Sequence, residues 1–249
     1  MTLHKEHGLS MIELLIALAL SSLLILGVTQ IFIDNRSNYL FQQGQSENIE
    51  NGRYALLVLE RQLVKAGYRR HPSDSLEFAF PAASTADCTF DAGQVIAVDG
   101  DTLCLRYQPR NEKERDCASD DPNLVSNTEP LYKPFTGSVI ERIFIENETL
   151  KCNNEKQTVE LSTGVSAIRF DFGVGPAGVR EVTHYTNIPT STDSIRSLRY
   201  ALLMASDRGN RQGMTSQAYL DWHGDEAEIP DNRLYHTVSS GITLRNLMP

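Results

Sequence analysis

Residues 14–33 carry no charged side chain, and the first break in this apolar run is Asp34. At ~1.5 Å per residue these positions span about 30 Å as a helix, the thickness of a bilayer core. From residue 38 to 66 the pattern changes. Ile49, Leu56 and Leu63 recur every seven residues, and Gly52, Leu59 and Ala66 follow three further on, which predicts one apolar stripe on a helix otherwise covered by Glu47, Asn48, Glu50, Asn51, Arg53, Glu60 and Arg61. Gly67 is the expected stop, and Pro72 bars resumption. The reading is one helix from residue 9 to about residue 66, about 85 Å long at ~1.5 Å per residue. Its first half is apolar all round, and its second half has a stripe to bury. A coiled-coil seam is the alternative for the stripe, but two and a half heptads with Gly52 at a seam position favour docking on the chain's own domain. No proline interrupts residues 9–33, which leaves Gly27, with Thr29 and Gln30 nearby, as the softest point.

Beyond Pro72 the period shortens to that of strands. Residues 95–98 and 102–107 flank Asp99-Gly100-Asp101 and predict a hairpin; residues 139–146 and 149–152, parted by Asn147-Glu148, predict a second. Between them, residues 109–134 are charged and turn-rich and read as an exposed loop. Residues 165–174 alternate through Ile168, Phe170 and Phe172 up to a Gly-Pro break, and residues 198–204 alternate through Leu198, Tyr200, Leu202 and Met204, with helix as the second choice there. A long polar loop at 206–232 holds Trp222, and a closing strand is expected at about 234–244. The fold class is α+β, with the helix laid across an antiparallel sheet.

The 249 residues hold this anchor and one globular domain of about 180 residues, enough for a real core. A net charge of −9 argues against non-specific nucleic-acid binding, and no direct nucleic-acid partner is expected. The four cysteines, Cys88, Cys104, Cys117 and Cys152, form no C-x-x-C pair; in a domain outside the inner membrane they read as two disulfides with three possible connectivities. Lys5 ahead of the run and the large folded remainder behind it favour a cytoplasmic amino terminus and a periplasmic domain. Nothing points to catalysis or a cofactor. No nucleophile elbow, zinc-protease, Walker or dinucleotide motif occurs, and His184, His223 and His236 lie in separate segments. Asp99/Asp101 and Asp120-Asp121 lack the spacing of an EF-hand and read as turn and solvated-loop residues, so no metal site is assigned. Trp222 reads as core-edge packing, with an interface anchor as the alternative.

The chemistry of the amino-terminal end is the most specific. A carboxylate deep in a membrane helix costs roughly 2.5–3.5 kcal/mol, which makes Glu13, at the mouth of the apolar run, a functional residue by default. Cutting after Gly8 would leave a free amine on Leu9, one helical turn from Glu13. Ala17-Leu18-Ala19 has the form of an ordinary signal-peptidase site, but it lies in mid-run, and a plain anchor leaves Glu13 unexplained. A short charged leader, Gly8 at the cut and Glu13 five residues into the mature chain resemble the class III signal of type IV pilins and type II secretion pseudopilins. The resemblance implies a type IV pilin-like fold, removal of the leader after Gly8 by a prepilin peptidase, N-methylation of Leu9, and Glu13 as the carboxylate that guides assembly into a filament. Asp116-Cys117 with Leu150-Lys151-Cys152, the strand at 165–172 and the ending Gly241-Ile242-Thr243-Leu244-Arg245-Asn246 are similar to the PilW family of minor pilins. That resemblance, together with nearest-neighbour closure, favours Cys88–Cys104 and Cys117–Cys152 among the three connectivities.

The implied division is a leader at 1–8, a transmembrane or filament-core half-helix at 9–36, an amphipathic half-helix at 37–67 and a periplasmic β-rich domain at 68–249. The implied role is that of a minor pilin that helps prime pilus assembly at or near the tip. Its partners would be other minor pilins, the major pilin, the prepilin peptidase, the inner-membrane assembly platform and a possible tip adhesin. It would sit in the inner membrane before assembly and in the extracellular pilus after it. A minor pseudopilin of type II secretion, of the J class, is the near alternative; a membrane-tethered periplasmic enzyme or ligand-binding domain is the alternative from another class.

Overall fold

In the computed structural model, which describes residues 10–111, 113–118, 137–190, 193–206, 216–224 and 233–249, one helix, α1, runs Met11–Leu63. The chain divides into two compact units at Gly44/Gln45. In the first unit α1 runs unbroken through Gly27 with its apolar side chains exposed. The second unit contains residues 45–63 of α1 together with everything that follows, so the amphipathic stretch belongs to the β domain.

The buried face of that stretch is Asn48, Gly52, Ala55, Val58, Leu59, Gln62 and Leu63. This corrects the stripe read from the sequence: Ile49 is 39% exposed, and Leu56 only packs against the edge of the core. The reason is close approach at Gly52, where an added Cβ would meet Val238 Cγ1 at 3.0 Å and Met204 Cγ at 3.2 Å. The absence of a side chain lets the helix settle there, and it brings Asn48, whose amide donates to the Leu234 carbonyl at 3.0 Å, into the interface in place of Ile49. The regular helix ends at Leu63, short of the expected residue 66, and turns carry the chain on to Gly67. Gly67 has φ +71°, and its N–H donates to the Arg106 carbonyl. The Asn246 side chain donates to the carbonyls of Val64 and Ala66 that the helix leaves open.

A four-residue helix α2 (Leu76–Ala79) and a small arm, β1 (Ala83–Ser84) with β2 (Thr89–Phe90), follow. A five-stranded antiparallel sheet is then built in chain order from β3 (Ile96–Asp99), β4 (Thr102–Tyr107), β5 (Val139–Glu146), β6 (Thr149–Asn153) and β7 (Thr158–Thr163). Both expected hairpins are present. Gly100 takes φ +56° in the first turn, and Asn147 and Glu148 both take positive φ (52° and 55°) in the second, as a two-residue turn of this hand demands.

The second sheet has the order β11-β10-β8-β9, from β8 (Val165–Gly175), β9 (His184–Thr186), β10 (Ser194–Ala205) and β11 (Tyr235–Thr243). Residues 198–204 are strand, paired on both sides by β8 and β11, which settles the helix alternative. β7 and β9 were not foreseen; β7 does alternate, with Val159 and Leu161 set between Thr158, Glu160 and Ser162, whereas β9 has only three residues and carries no such signal.

One core joins α1 to both sheets through residues such as Leu59, Leu63, Leu103, Ile143, Leu150, Phe172, Leu198 and Met204. The stretch read as an exposed loop at 109–134 is buried at Pro109, Asp116 and Cys117, and its part from 119 on lies outside the described residues, as does Asp120-Asp121. In the polar stretch at 206–232 a short helix, α3 (Gln217–His223), carries Trp222, which is 8% exposed. The Arg169 guanidinium stacks on its ring at 4.5 Å and donates to its carbonyl, so this tryptophan packs on an outward-facing arginine of the strand that carries Ile168 and Phe170.

Candidate assembly site and the domain behind it

At the head of α1, the Ser10 carbonyl accepts from the N–H groups of Glu13 and Leu14 at 3.0 and 3.1 Å, and its hydroxyl lies 3.4 Å from the Ile12 N–H. Free N–H groups at a helix start favour a serine there. Glu13 sits in the first turn with its side chain exposed. Gly8 and Leu9 lie outside the described residues. Every large apolar side chain from Met11 to Ile33 is exposed, at 54–89% of its surface. The segment is long and apolar enough to cross a membrane.

Its hydroxyls leave little for water to do. Ser21 donates to Ala17 O, Ser22 to Ala19 O and Thr29 to Ile25 O, all within 2.8 Å, so these groups are satisfied inside the helix, as a hydrocarbon setting requires. Gln30 donates to Asp34 at 3.0 Å, at the polar boundary. Glu13 is thus the one ionisable side chain in residues 10–33, at the end where a cationic terminus would lie.

In the β domain the charges are buried for structural ends. Arg106 on β4 is fully buried, and its guanidinium donates to the carbonyls of Gln94, Pro81, Phe80 and Asp91 while stacking on the rings of Phe80 and Phe90. Burial lowers its pKa to about 10, so it remains a cation at neutral pH. Four bonds draw the α2–β2 connections onto β4, and the Cys88–Cys104 disulfide fastens the same arm.

On the other side of the sheet the Cys117–Cys152 disulfide ties the segment after β4 to β6. Beside it the fully buried Glu141 accepts from the Tyr107 hydroxyl at 2.8 Å and the Cys117 N–H at 2.9 Å, with Lys65 Nζ at 3.8 Å. Burial raises the Glu141 pKa above the ordinary value of 4.5, against the opposing pull of Lys65, Tyr107 and Cys117, and Asp116 adds to the rise. An acid raised by folding contributes stability that is fully present below its unfolded pKa and is lost as pH rises through the folded one. Glu141→Gln removes that titration while its carbonyl oxygen can still accept both bonds. The stability of the variant relative to the natural chain is therefore expected to increase as pH rises above the ordinary carboxylate value of 4.5. Urea unfolding of both proteins across that range checks this; a difference flat with pH would show that Glu141 is not raised.

Sequence reasoning missed Glu141, although β5 offered a signal: it occupies an inward position between Val139 and Ile143 in an alternating strand. It also missed Glu148, which holds Arg233 in a two-pronged pair from the turn between β5 and β6.

The constellations that could suggest chemistry come apart on inspection. His184 is on β9, His223 closes α3 against the Tyr219 ring, and His236 is on β11. His71 has both Asp74 and Ser73 near it, yet both approach the same nitrogen, Nδ1, at 2.7 and 3.1 Å. A proton relay needs them on opposite nitrogens. Cys117, Glu141 and Cys152 lie close enough to hold a metal, but both sulfurs are spent in the disulfide. Asp99 and Asp101 flank the first hairpin turn and are exposed. No catalytic, metal or cofactor site is assigned to these residues.

The family profile described as "Type IV Pilus-assembly protein W" matches residues 137–246, from β5 to the last turn. The profile of the prokaryotic N-terminal methylation motif matches residues 3–29, a stretch that takes in Gly8, Leu9, Glu13 and the apolar head of α1. Over these two stretches the chain is similar to the PilW family of type IV pilus-assembly proteins and to proteins with the N-terminal methylation motif. No curated protein matches its sequence. A solved structure of a type IV-like pilin from Thermus thermophilus is similar at a TM-score of 0.42 and 11% identity, over 80% of this chain and 97% of that one. The matched family is one of type IV pilus-assembly proteins, and the apolar head of α1 is long and apolar enough to cross a membrane.

Proposed function

We propose that this chain is a minor pilin that helps prime type IV pilus assembly and is built into the filament at or near its tip. The observation that carries the proposal is the head of α1: an apolar segment, exposed on all sides, whose one ionisable side chain is Glu13 in the first turn. Such a surface is stable only in lipid or packed against other helices of its kind, and a filament core supplies the second once the subunit leaves the first. In this reading residues 1–8 are a leader that a prepilin peptidase removes after Gly8, and Leu9 becomes an N-methylated terminus. Residues 9–36 pass from membrane to filament core, and residues 37–67 lead into the domain at 68–249. That domain is periplasmic while the subunit waits in the inner membrane and is extracellular afterwards. Its neighbours are other minor pilins, the major pilin and the inner-membrane assembly platform, with a tip adhesin as a further candidate.

Processing is the direct test. The intact mass of the native protein is expected to correspond to a chain that begins at Leu9, carries one added methyl group and has lost four hydrogens to two disulfides. A mature chain beginning at Met1, or one cut after Ala19, would remove the pilin reading.

A further inference from the structure

Glu141 is more than its two hydrogen bonds require. The Tyr107 hydroxyl and the Cys117 N–H both donate to Oε1, and an amide oxygen would accept the same bonds without a buried acid. Oε2 is buried and has no hydrogen-bond partner among the described residues. One carboxylate oxygen and the sulfurs of Cys117 and Cys152 all lie within 4.8 Å of one another. The bridge itself is lopsided. Cys152 is fully buried, whereas Cys117 is 8% exposed and lines a cavity of about 790 Å³ that it shares with Arg61, Lys65 and Arg115. The Cys88–Cys104 bridge sits instead among Phe90, Ala97 and Ile140.

A disulfide opens when a thiolate attacks one sulfur and the other departs as a thiolate. Here the reachable sulfur is that of Cys117, so the leaving group is Cys152, where a bare thiolate would be a charge buried in apolar surroundings. A proton has to arrive as the bond breaks. We propose that Cys117–Cys152 is a thiol-exchange site, in which Cys117 Sγ takes the incoming sulfur and Glu141 gives its proton to Cys152 Sγ. For a small monothiol the step balances as it stands. The thiolate bonds to Cys117 Sγ, the bridge breaks, its electron pair stays on Cys152 Sγ, and the carboxyl proton passes to that sulfur. The products are a mixed disulfide on Cys117, a thiol on Cys152 and a Glu141 carboxylate, with the charge unchanged. Closure runs the same step backwards, with Glu141 as the base.

The groups around Glu141 suit a proton carrier. Burial favours the neutral acid, and Asp116 adds to this; Lys65, the Tyr107 hydroxyl and the Cys117 N–H favour the carboxylate. The acid therefore persists at a pH where a surface carboxyl has lost its proton, and the anion, once formed, has donors that hold it. Burial, with Glu141, Glu114 and Asp116 nearby, keeps Tyr107 a phenol and so a donor throughout.

The test follows opening by 2-mercaptoethanol of the full chain in detergent, between about pH 5 and about pH 9. Rates are corrected for the thiolate fraction of the reagent, and alkylation with peptide mapping follows the two bridges separately. The mixed disulfide is expected on Cys117. Glu141→Gln is expected to slow opening of Cys117–Cys152 about tenfold or more at the acid end, with the difference shrinking as pH rises through the Glu141 pKa. Opening of Cys88–Cys104 is expected to stay unchanged, and it also reports folding. If it speeds up in the glutamine variant, Tyr107→Phe decides in its place. Losing that donor raises the Glu141 pKa, so the fall in rate is expected to move to higher pH. An adduct on Cys152, equal rates at every pH, a difference flat with pH or an unmoved profile for Tyr107→Phe would overturn the inference. None of these outcomes bears on where the mature chain begins, so a failure here leaves the pilin reading standing.

Discussion

Glu13→Ala is expected to leave the amount of this subunit in the inner membrane unchanged and to reduce its incorporation into sheared filaments by about tenfold or more. The asymmetry follows from where the side chain lies. Glu13 is exposed in the first turn of α1 and has no part in the core of the β domain, so its loss removes nothing that the fold uses. It also makes the anchor more apolar, which favours insertion. In a filament the carboxylate would face the cationic terminus of an adjoining subunit among apolar helices. Removing one partner then leaves a buried charge uncompensated, a cost on the order of a few kcal/mol. Glu13→Gln, which keeps the shape and loses the charge, should fail nearly as badly. The measurement is the ratio of subunit in filaments to subunit in membranes. Normal incorporation of the alanine variant would remove the assembly role of Glu13 and favour a tethered domain.

Arg106→Met is expected to destabilise the β domain by about 3–5 kcal/mol while leaving membrane insertion alone. The methionine fills much of the volume between Phe80 and Phe90 but offers no donors to the carbonyls of Phe80, Pro81, Asp91 and Gln94. Of these, Phe80 O keeps a second bond, from the Gly93 N–H, and Asp91 O keeps one from the Gln94 N–H; Pro81 O and Gln94 O lose a charge-assisted partner in a part-buried setting. Arg106→Lys should recover only part of the loss, because one ammonium cannot reach across the span that a planar guanidinium covers. Urea unfolding of the full chain in detergent, with the disulfides intact, measures both. A loss below about 1 kcal/mol for the methionine variant would mean that water replaces the guanidinium, and that the Cys88–Cys104 bridge alone holds the arm.

Much of this architecture could be read along the chain because the relevant forces act over a few residues. The apolar run at 14–33 implies a membrane-length helix by length alone, and Gly67, with its positive φ, turns the chain away after the last helical residue, Leu63. The hairpins at Gly100-Asp101 and Asn147-Glu148 follow from turn chemistry between alternating strands. Glu13 stood out because a carboxylate in that company has a known cost.

What the chain could not disclose depends on which surfaces meet. Helical periodicity alone put Ile49 on the buried stripe; contact with Met204 and Val238 at Gly52 turned the helix so that Asn48 went in. Arg106 looks in the sequence like an ordinary surface charge and only its inward place in β5 marks Glu141, yet both are fully buried because partners from distant segments supply the bonds that make burial tolerable. Local pattern determined the elements and the membrane-seeking end of this protein. The two-sheet arrangement and the buried charges were decided by tertiary packing, since burial and pairing belong to pairs of segments and no single stretch of sequence contains both members.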